Sequence, residues 1–270
     1  MVVESQKREQ IEYHERVHYS AGKPRAIDNR HPYVQWLNGY RLRTALTMAG
    51  GAVAGKSVLS VCGGDGQEAD YFQRLGARVT MVDLSPIAVQ AARVQNPQLE
   101  CMCMDAERLD FPDGAFDWAI VRDGLHHLAR PLKGFYELDR VSREGFIILE
   151  GQDSPAVRAL SLFGVAENWD PAGGYVYRIG RRELYKIFSS LQTVHDWKVR
   201  TAWLPYGSDL VGLFPAFRRY VYPVISHPAA MKVLMTRSVR RAFKCSFEVF
   251  NGLFGRAGNS LIVVARKGRT

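Results

Sequence analysis

"SVLSVCGGDGQEADYF", Ser57 to Phe72, decides the fold. An apolar segment, Val58 to Val61, runs into Gly63, Gly64 and Gly66, and these lead into a stretch that can begin a helix. Glycine tolerates backbone angles that a Cβ forbids, and it lets a ligand lie directly on main-chain N–H groups at a helix start. The arrangement is a seat for a nucleotide-like ligand. Gly64-x-Gly66-x-x-Ala69 also satisfies the loose dinucleotide fingerprint, so the loop alone leaves NAD, FAD and other adenosine derivatives open.

Outward from this loop the chain alternates. Apolar runs at Val58–Val61, Val79–Val82, Cys101–Met104, Trp118–Val121 and Phe146–Leu149 are separated by helix-capable stretches, the pattern of right-handed βα units on a parallel sheet. Ser85 reads as an N-cap with Pro86 at the first helical position, and Gly145 as the break between the helix "RPLKGFYELDRVS" and the strand "FIILE". Helices are expected upstream, over about Ser5 to His18 and over Pro32 to Met48. Further on, a helix is expected over about Arg181 to Leu191 and strands at His195 to Thr201 and Asn259 to Ala265. Nearly sixty residues separate those two strands, far more than a hairpin needs. The expected architecture is α/β: a Rossmann-like, seven-stranded, mostly parallel sheet with helices on both faces. Residues 1–50 form a helical cap, 51–206 and 258–270 the sheet domain, and 207–257 a helical acceptor or lid insertion.

The 270 residues, 47% hydrophobic, can bury a sizeable core. The N-terminal "MVVESQKREQIEYHERVHYS" is too polar for a signal peptide and no apolar run is long enough to span a bilayer, so the expected location is the cytoplasm. Cys62, Cys101, Cys103 and Cys245 lack metal-ligand spacing with histidine, and the Cys101-Met-Cys103 pair reads as two buried small hydrophobes on one strand face. No metal is expected. The net charge of +9 is concentrated late, with no Asp or Glu between Leu210 and Phe247.

Asp83 ends the second strand at the distance where a dinucleotide fold places a ribose-binding carboxylate, and this alone does not separate a nicotinamide enzyme from a methyl-transfer enzyme. The next two strands make the distinction: "CMCMDAERLDFPDGAFDWAIVRDGLHHL" puts an acid directly after strand three, then a Phe-Pro-Asp-Gly turn, then Phe-Asp opening strand four and paired histidines beyond it. From Ser57 to about Gly151 the chain resembles the class I S-adenosylmethionine-dependent methyltransferases, in particular the small-molecule branch related to the ubiquinone and menaquinone methylases. The resemblance implies S-adenosylmethionine as cofactor, with Gly63, Gly64 and Gly66 beneath its methionine and ribose parts. Asp83, followed by Leu84, would take the ribose, Asp105 would face the adenine amino group with Ala106 offering its N–H, and Arg122 would lie near the methionine moiety. Ser60 and Cys62 belong to the same seat but depart from the pattern, since the family usually has an acid at the first position and a glycine at the second. Asp65 adds negative charge to the loop, which suits a sulfonium and ammonium better than a pyrophosphate. Asp117 reads as structural.

His126 and His127 lie just past strand four, where parallel sheets place ligands, and either imidazole could serve as a base, with Asp153 as its orienting partner. The expected reaction is methyl transfer to a small or amphiphilic acceptor, lipid-like or glycosylated, at a hydroxyl oxygen. Tyr13 or Tyr19 on the N-terminal segment could touch the cofactor, and "WDPAGGYVYR", Trp169 to Arg178, could form an acceptor lid. Residues 231–254 carry apolar side chains at helical spacing beside basic ones, which fits a lid, a homodimer face or a peripheral membrane contact. Nucleic acid is disfavoured, because the basic residues alternate with a hydrophobic stripe rather than forming an exposed tract. Other readings are a non-catalytic S-adenosylmethionine-binding protein, an RNA methylase and a nicotinamide oxidoreductase.

Overall fold

A computed structural model of the chain describes residues 2–16, 32–51, 53–162, 168–170, 174–204 and 236–268. Two helices, α1 (Val2–His14) and α2 (Pro32–Met48), precede the alternating part. That part runs β1 (Ser57–Val61), α3 (Gln67–Arg74), β2 (Arg78–Asp83), α4 (Pro86–Gln95), β3 (Glu100–Cys103), β4 (Phe116–Arg122), α5 (Pro131–Val141) and β5 (Ser142–Gly151). After β5 come α6 (Pro155–Leu162), the short strands β6 (Trp169–Asp170) and β7 (Gly174–Tyr175), α7 (Arg181–Ser190), β8 (Val194–Ala202), α8 (Arg237–Phe254) and β9 (Ser260–Lys267). Residues 205–235, the greater part of the expected insertion, lie outside the described residues, as does Tyr19.

Seven strands pair in the order β3-β2-β1-β4-β5-β9-β8. The first five are parallel, while β9 runs antiparallel to both β5 and β8. The strand order reverses between β1 and β4, so the crevice outside the carboxyl ends of these two strands is where such a sheet takes a ligand. Alternating side chains divide between two cores. Val58, Met81, Trp118 and Ile120 pack against α2, α3 and α4, whereas Leu59, Val82, Val121 and Ile148 pack against α5 and α7.

Local chemistry sets the boundaries. Ser85 caps α4 by accepting the Ala88 N–H at 3.1 Å, and Pro86 occupies the first turn. Asp117 is structural: its carboxylate accepts the N–H and hydroxyl of Ser57 and pairs with Arg143, tying β1 to β4. Gly145 corrects the expectation of a helix breaker. It lies inside β5, where a Cβ would approach the Ala265 carbonyl oxygen of β9 to 2.2 Å. Cys101 is buried, but Cys103 is exposed at the strand end, its thiol donating to the Leu84 carbonyl, so the pair is not uniformly buried.

Candidate active site

The loop after β1 turns on three residues with positive φ: Cys62 at 54°, Gly64 at 56° and Gly66 at 84°. Cys62 therefore keeps the left-handed bend that a glycine would give, at a strain cost of about 1–3 kcal/mol. Gly63 has no room for a side chain, because its Cβ would lie 2.3 Å from Met81 Cγ. Buried Ser60 sits beneath this turn. The Gly64 N–H donates to Asp83 Oδ2 at 2.9 Å, and the Ser85 N–H donates to Oδ1 at 2.9 Å. Asp83 thus fastens the glycine loop to the end of β2. Burial raises its carboxyl above the ordinary range, opposed by the backbone N–H groups of Ser85 and Gly64. Each carboxylate oxygen keeps a lone pair for a further donor.

Beyond β3, Asp105 receives Lys7 Nζ of α1 at 2.5 Å and the Glu107 N–H at 2.9 Å, while Ala106 is buried. Lys7 also lies 3.4 Å from the fully buried Glu107, which is bound by the main chain and guanidinium of Arg130. Glu15 accepts the Ser85 hydroxyl at 2.9 Å. Through these contacts α1 and the turn after it lie across the carboxyl ends of β2 and β3.

Arg122, at the end of β4, is nearly buried and pairs with Glu68 of α3. Its neighbour Asp123, with φ at 50°, accepts a bidentate pair from Arg41 of α2 at 2.7 and 2.9 Å, and Arg122 Nη1 lies 3.4 Å from it. Burial alone would raise the Asp123 carboxyl. The charge and hydrogen bonds of buried Arg41, with the charge of Arg122, outweigh that and hold it at about 2. Two guanidiniums and two carboxylates so balance beside the glycine loop.

The turn Leu125–His127 presents the paired histidines, their rings 4.0 Å apart. His126 Nδ1 lies 2.7 Å from Glu150 Oε2, and the other oxygen of this buried acid accepts the Gly124 and Leu125 N–H groups at 2.8 and 2.7 Å. The orienting acid is therefore Glu150, not Asp153, whose carboxylate is on the guanidinium of Arg158. Gly124 must lack a side chain because its Cβ would meet that of Cys62 at 2.5 Å; the loops after β1 and β4 touch there. Burial, with Asp83 and Glu150 nearby, pushes the Cys62 thiol well above its ordinary range, so it remains a neutral wall. Among the described residues no group of three His, Cys, Asp or Glu could hold a metal ion.

The structure brings Ser60, Cys62, Gly63, Gly64, Gly66, Asp83, Leu84, Asp105, Ala106, Arg122, His126 and His127 to one end of the sheet. Sequence reasoning missed Lys7, Arg41, Glu68, Asp123 and Glu150. Glu150 had a readable signal, an acid closing the apolar run "FIILE" at a carboxyl end. The helical cations had none, since partners 82 and 98 residues apart are set only by the fold.

Comparison with known proteins agrees with this geometry. A family model described as "Methyltransferase domain" matches residues 59–149. The demethylmenaquinone methyltransferase of Beutenbergia cavernae is 31% identical over 124 residues, which are 45% of this chain and 52% of that protein. The "Ubiquinone/menaquinone biosynthesis C-methyltransferase UbiE" of Hahella chejuensis is 32% identical over 37% of this chain and 45% of its own. The chain thus spans about half the length of the curated relatives it matches. Among solved structures, magnesium protoporphyrin IX methyltransferase from Synechocystis, with bound SAH, superposes with a TM-score of 0.53 at 18% identity, covering 72% of this chain and 92% of that one.

The residues present fit S-adenosylmethionine. Asp83 offers acceptors for two vicinal hydroxyls, and Asp65 adds an acid to the loop that suits a sulfonium better than a pyrophosphate. Fold, loop chemistry and the matched family model agree: residues 59–149 form a methyltransferase domain of the S-adenosylmethionine-dependent kind, on a sheet like that of the solved methyltransferases.

Proposed function

We propose that this protein transfers a methyl group from S-adenosylmethionine to a hydroxyl oxygen of a small or amphiphilic metabolite, with His126 as general base. The observation that carries this reading is the His126–Glu150 pair at the carboxyl ends of β4 and β5, beside the Asp83-anchored loop. Asp83 would hold the ribose hydroxyls, Asp105 and Ala106 the adenine edge, and Arg122 with Glu68 the amino-acid end. The cofactor, when bound, supplies an electrophilic methyl on a sulfonium. Glu150 accepts from Nδ1 of His126, the tautomer in which Nε2 is the basic nitrogen that would take the acceptor's proton. Arg41 and Asp123 fix the backbone between Arg122 and the histidine turn. His127 packs against His126 and shapes the acceptor side.

Support for an aromatic or quinol-like acceptor comes from the relatives, which are named as quinone methylases. Methylation at a ring carbon would also need a base to remove a proton, so product analysis decides between oxygen and carbon. The test is calorimetric titration with S-adenosylhomocysteine, NAD and NADP in parallel, then turnover on phenols and hydroquinones with wild type and His126→Gln. Binding of S-adenosylhomocysteine alone, and turnover that His126→Gln loses, is expected. Tight cofactor binding without turnover on any acceptor, RNA included, would favour a binding protein. Binding of a nicotinamide nucleotide alone would overturn the reading.

A further inference from the structure

The charge excess of this protein lies entirely at one end of the chain. Residues 194–270 hold 13 Lys and Arg against three Asp and Glu, a net +10, whereas residues 1–193 hold 23 against 24, a net −1. This cationic part contains α8, whose sequence through Arg256 includes Arg237, Arg240, Arg241, Lys244 and Arg256 against Glu248 alone. Glu248 is itself neutralised by Arg200 of β8 at 2.9 Å.

α8 is docked along one line. Phe247 is buried edge-on against Trp36 and Tyr40 of α2, with ring centroids 5.1 and 4.9 Å away. One turn on, buried Asn251 exchanges hydrogen bonds with the main chain of Trp203. Beside this line the helix leaves an apolar flank in solvent: Val249 is 64% exposed, Phe250 47%, Leu253 72% and Phe254 54%. Their spacing gathers them on one side, with the rings of Phe250 and Phe254 5.1 Å apart, while Arg241, Lys244 and Glu248 fall on the other. Lone exposed apolar residues are ordinary on a protein surface, but four within six residues form a patch.

We propose that this flank of α8 seats on an anionic lipid bilayer surface, its apolar side chains in the headgroup boundary and the strongly cationic carboxyl-terminal part of the chain drawn to the anionic headgroups. An exposed apolar flank on a part of the chain with a net charge of +10 matches such a surface on both counts. A second copy of the chain fits less well, because a two-fold interface would set two cationic segments against each other. Nucleic acid would use the cations but leave the aliphatic Val249 and Leu253 without purpose. The contact is one of lying on the surface, since among the described residues no helix is long and apolar enough to cross a membrane. The inference stands independently of the methyl-transfer reading. If both hold, α2 links the bilayer contact to the site, because the helix that packs on Phe247 also carries Arg41 to Asp123.

Co-sedimentation of the full chain with phosphatidylcholine vesicles, and with vesicles that also contain phosphatidylglycerol, tests this. Binding to the anionic vesicles only, reversed by high salt, is expected. Phe250→Ser with Leu253→Asp should weaken it at least tenfold, and Arg241→Gln with Lys244→Gln by about fivefold for each cation removed. These positions are exposed, so an unchanged circular dichroism spectrum is expected. Leu253→Trp, which keeps the surface apolar, should bind at least as well as wild type, so a loss caused by misfolding is distinguishable from a loss of contact. Absence of vesicle binding by wild type, or binding undiminished by the Phe250/Leu253 change, would overturn the proposal. So would a dimer in solution that the same change dissolves while vesicles are ignored, or RNA binding that only the Arg241/Lys244 change removes.

Discussion

Glu150 offers the sharpest separation of stability from catalysis. Its carboxylate is the acceptor for three groups, the Gly124 and Leu125 N–H groups on one oxygen and His126 Nδ1 on the other, all within 2.8 Å and shielded from water. Glu150→Ala leaves these donors without their acceptor. An unsatisfied buried donor costs about 1–3 kcal/mol, so a total loss of about 4 kcal/mol is expected, with a fall in Tm of roughly 8–16 °C.

Glu150→Gln should behave differently. The amide oxygen can still accept both backbone N–H groups, and the amide NH2 then faces His126 Nδ1. Stability should fall by only about 1 kcal/mol. The imidazole, however, would now accept at Nδ1 and carry its proton on Nε2, where the base needs a lone pair. Loss of general-base catalysis is worth about 100- to 10,000-fold, so kcat should drop into that range while the affinity for S-adenosylhomocysteine is kept. Calorimetry, thermal melts and release of S-adenosylhomocysteine during turnover on an accepted phenol or hydroquinone measure all three quantities. A Glu150→Gln protein that melts near wild type and keeps kcat within threefold would refute the base assignment. Positioning alone would then carry the rate.

Asp83→Ala should weaken S-adenosylhomocysteine by about 2–3 kcal/mol, roughly 30- to 150-fold in calorimetry, through loss of a charged acceptor and the release of the Gly64 N–H. Because burial raises the Asp83 carboxyl, wild-type affinity should begin to fall on acidification at a pH above that at which an ordinary aspartate titrates. Asp123→Asn should cost about 2 kcal/mol in denaturant melts, since it uncovers buried Arg41; the 36% exposure of the Asp123 side chain keeps this below the cost of breaking a fully buried pair. The folded Asp123 carboxyl is held below its unfolded value, so its contribution is present above about pH 4 and is lost as pH falls toward about 2. The acid limb of a pH–stability curve should be shallower in Asp123→Asn. Lys7→Met should leave the sheet intact but speed amide exchange in α1, because the Lys7 bridge to Asp105 and Glu107 is one of its anchors over the site.

The sheet was legible in the sequence because a buried parallel strand is written as a short apolar run between turn residues, and the five runs at the glycine loop and after it each became a strand. Strand ends were less legible. β5 starts at Ser142, four residues before the run "FIILE", because Ser142 already pairs with Phe116 of β4, and Gly145, which fits against Ala265, opens the pairing with β9 instead of breaking the chain. Backbone features of the site were equally readable, since glycines and a strand-terminal acid carry their reason locally. Its side-chain partnerships were not. Asp153 stood two residues past the end of strand five and looked available, but a serial neighbour at that point turns toward α6, while Glu150, still in the strand, points into the crevice.

The departures at Ser60 and Cys62 take on a physical meaning beside that network. The family pattern keeps an acid within β1, whereas here a neutral hydroxyl occupies the position under the loop and the negative charge enters from α3 as Glu68. Glu68 is held by Arg122, the residue that closes β4, and Arg122 is in turn balanced by Asp123 and, through it, by Arg41. A lone buried carboxylate at position 68 would be costly in so apolar a wall; pairing with a guanidinium whose other side is also compensated offsets that cost. Cys62 obeys the same logic in space rather than in charge. The left-handed turn that glycine would make without strain is held here by a cysteine, and the missing side chain of Gly124 on the loop after β4 makes room for the added one after β1. Charge and space that differ at the first strand and its loop are thus matched on neighbouring elements, by Glu68 on α3 and by Gly124 after β4.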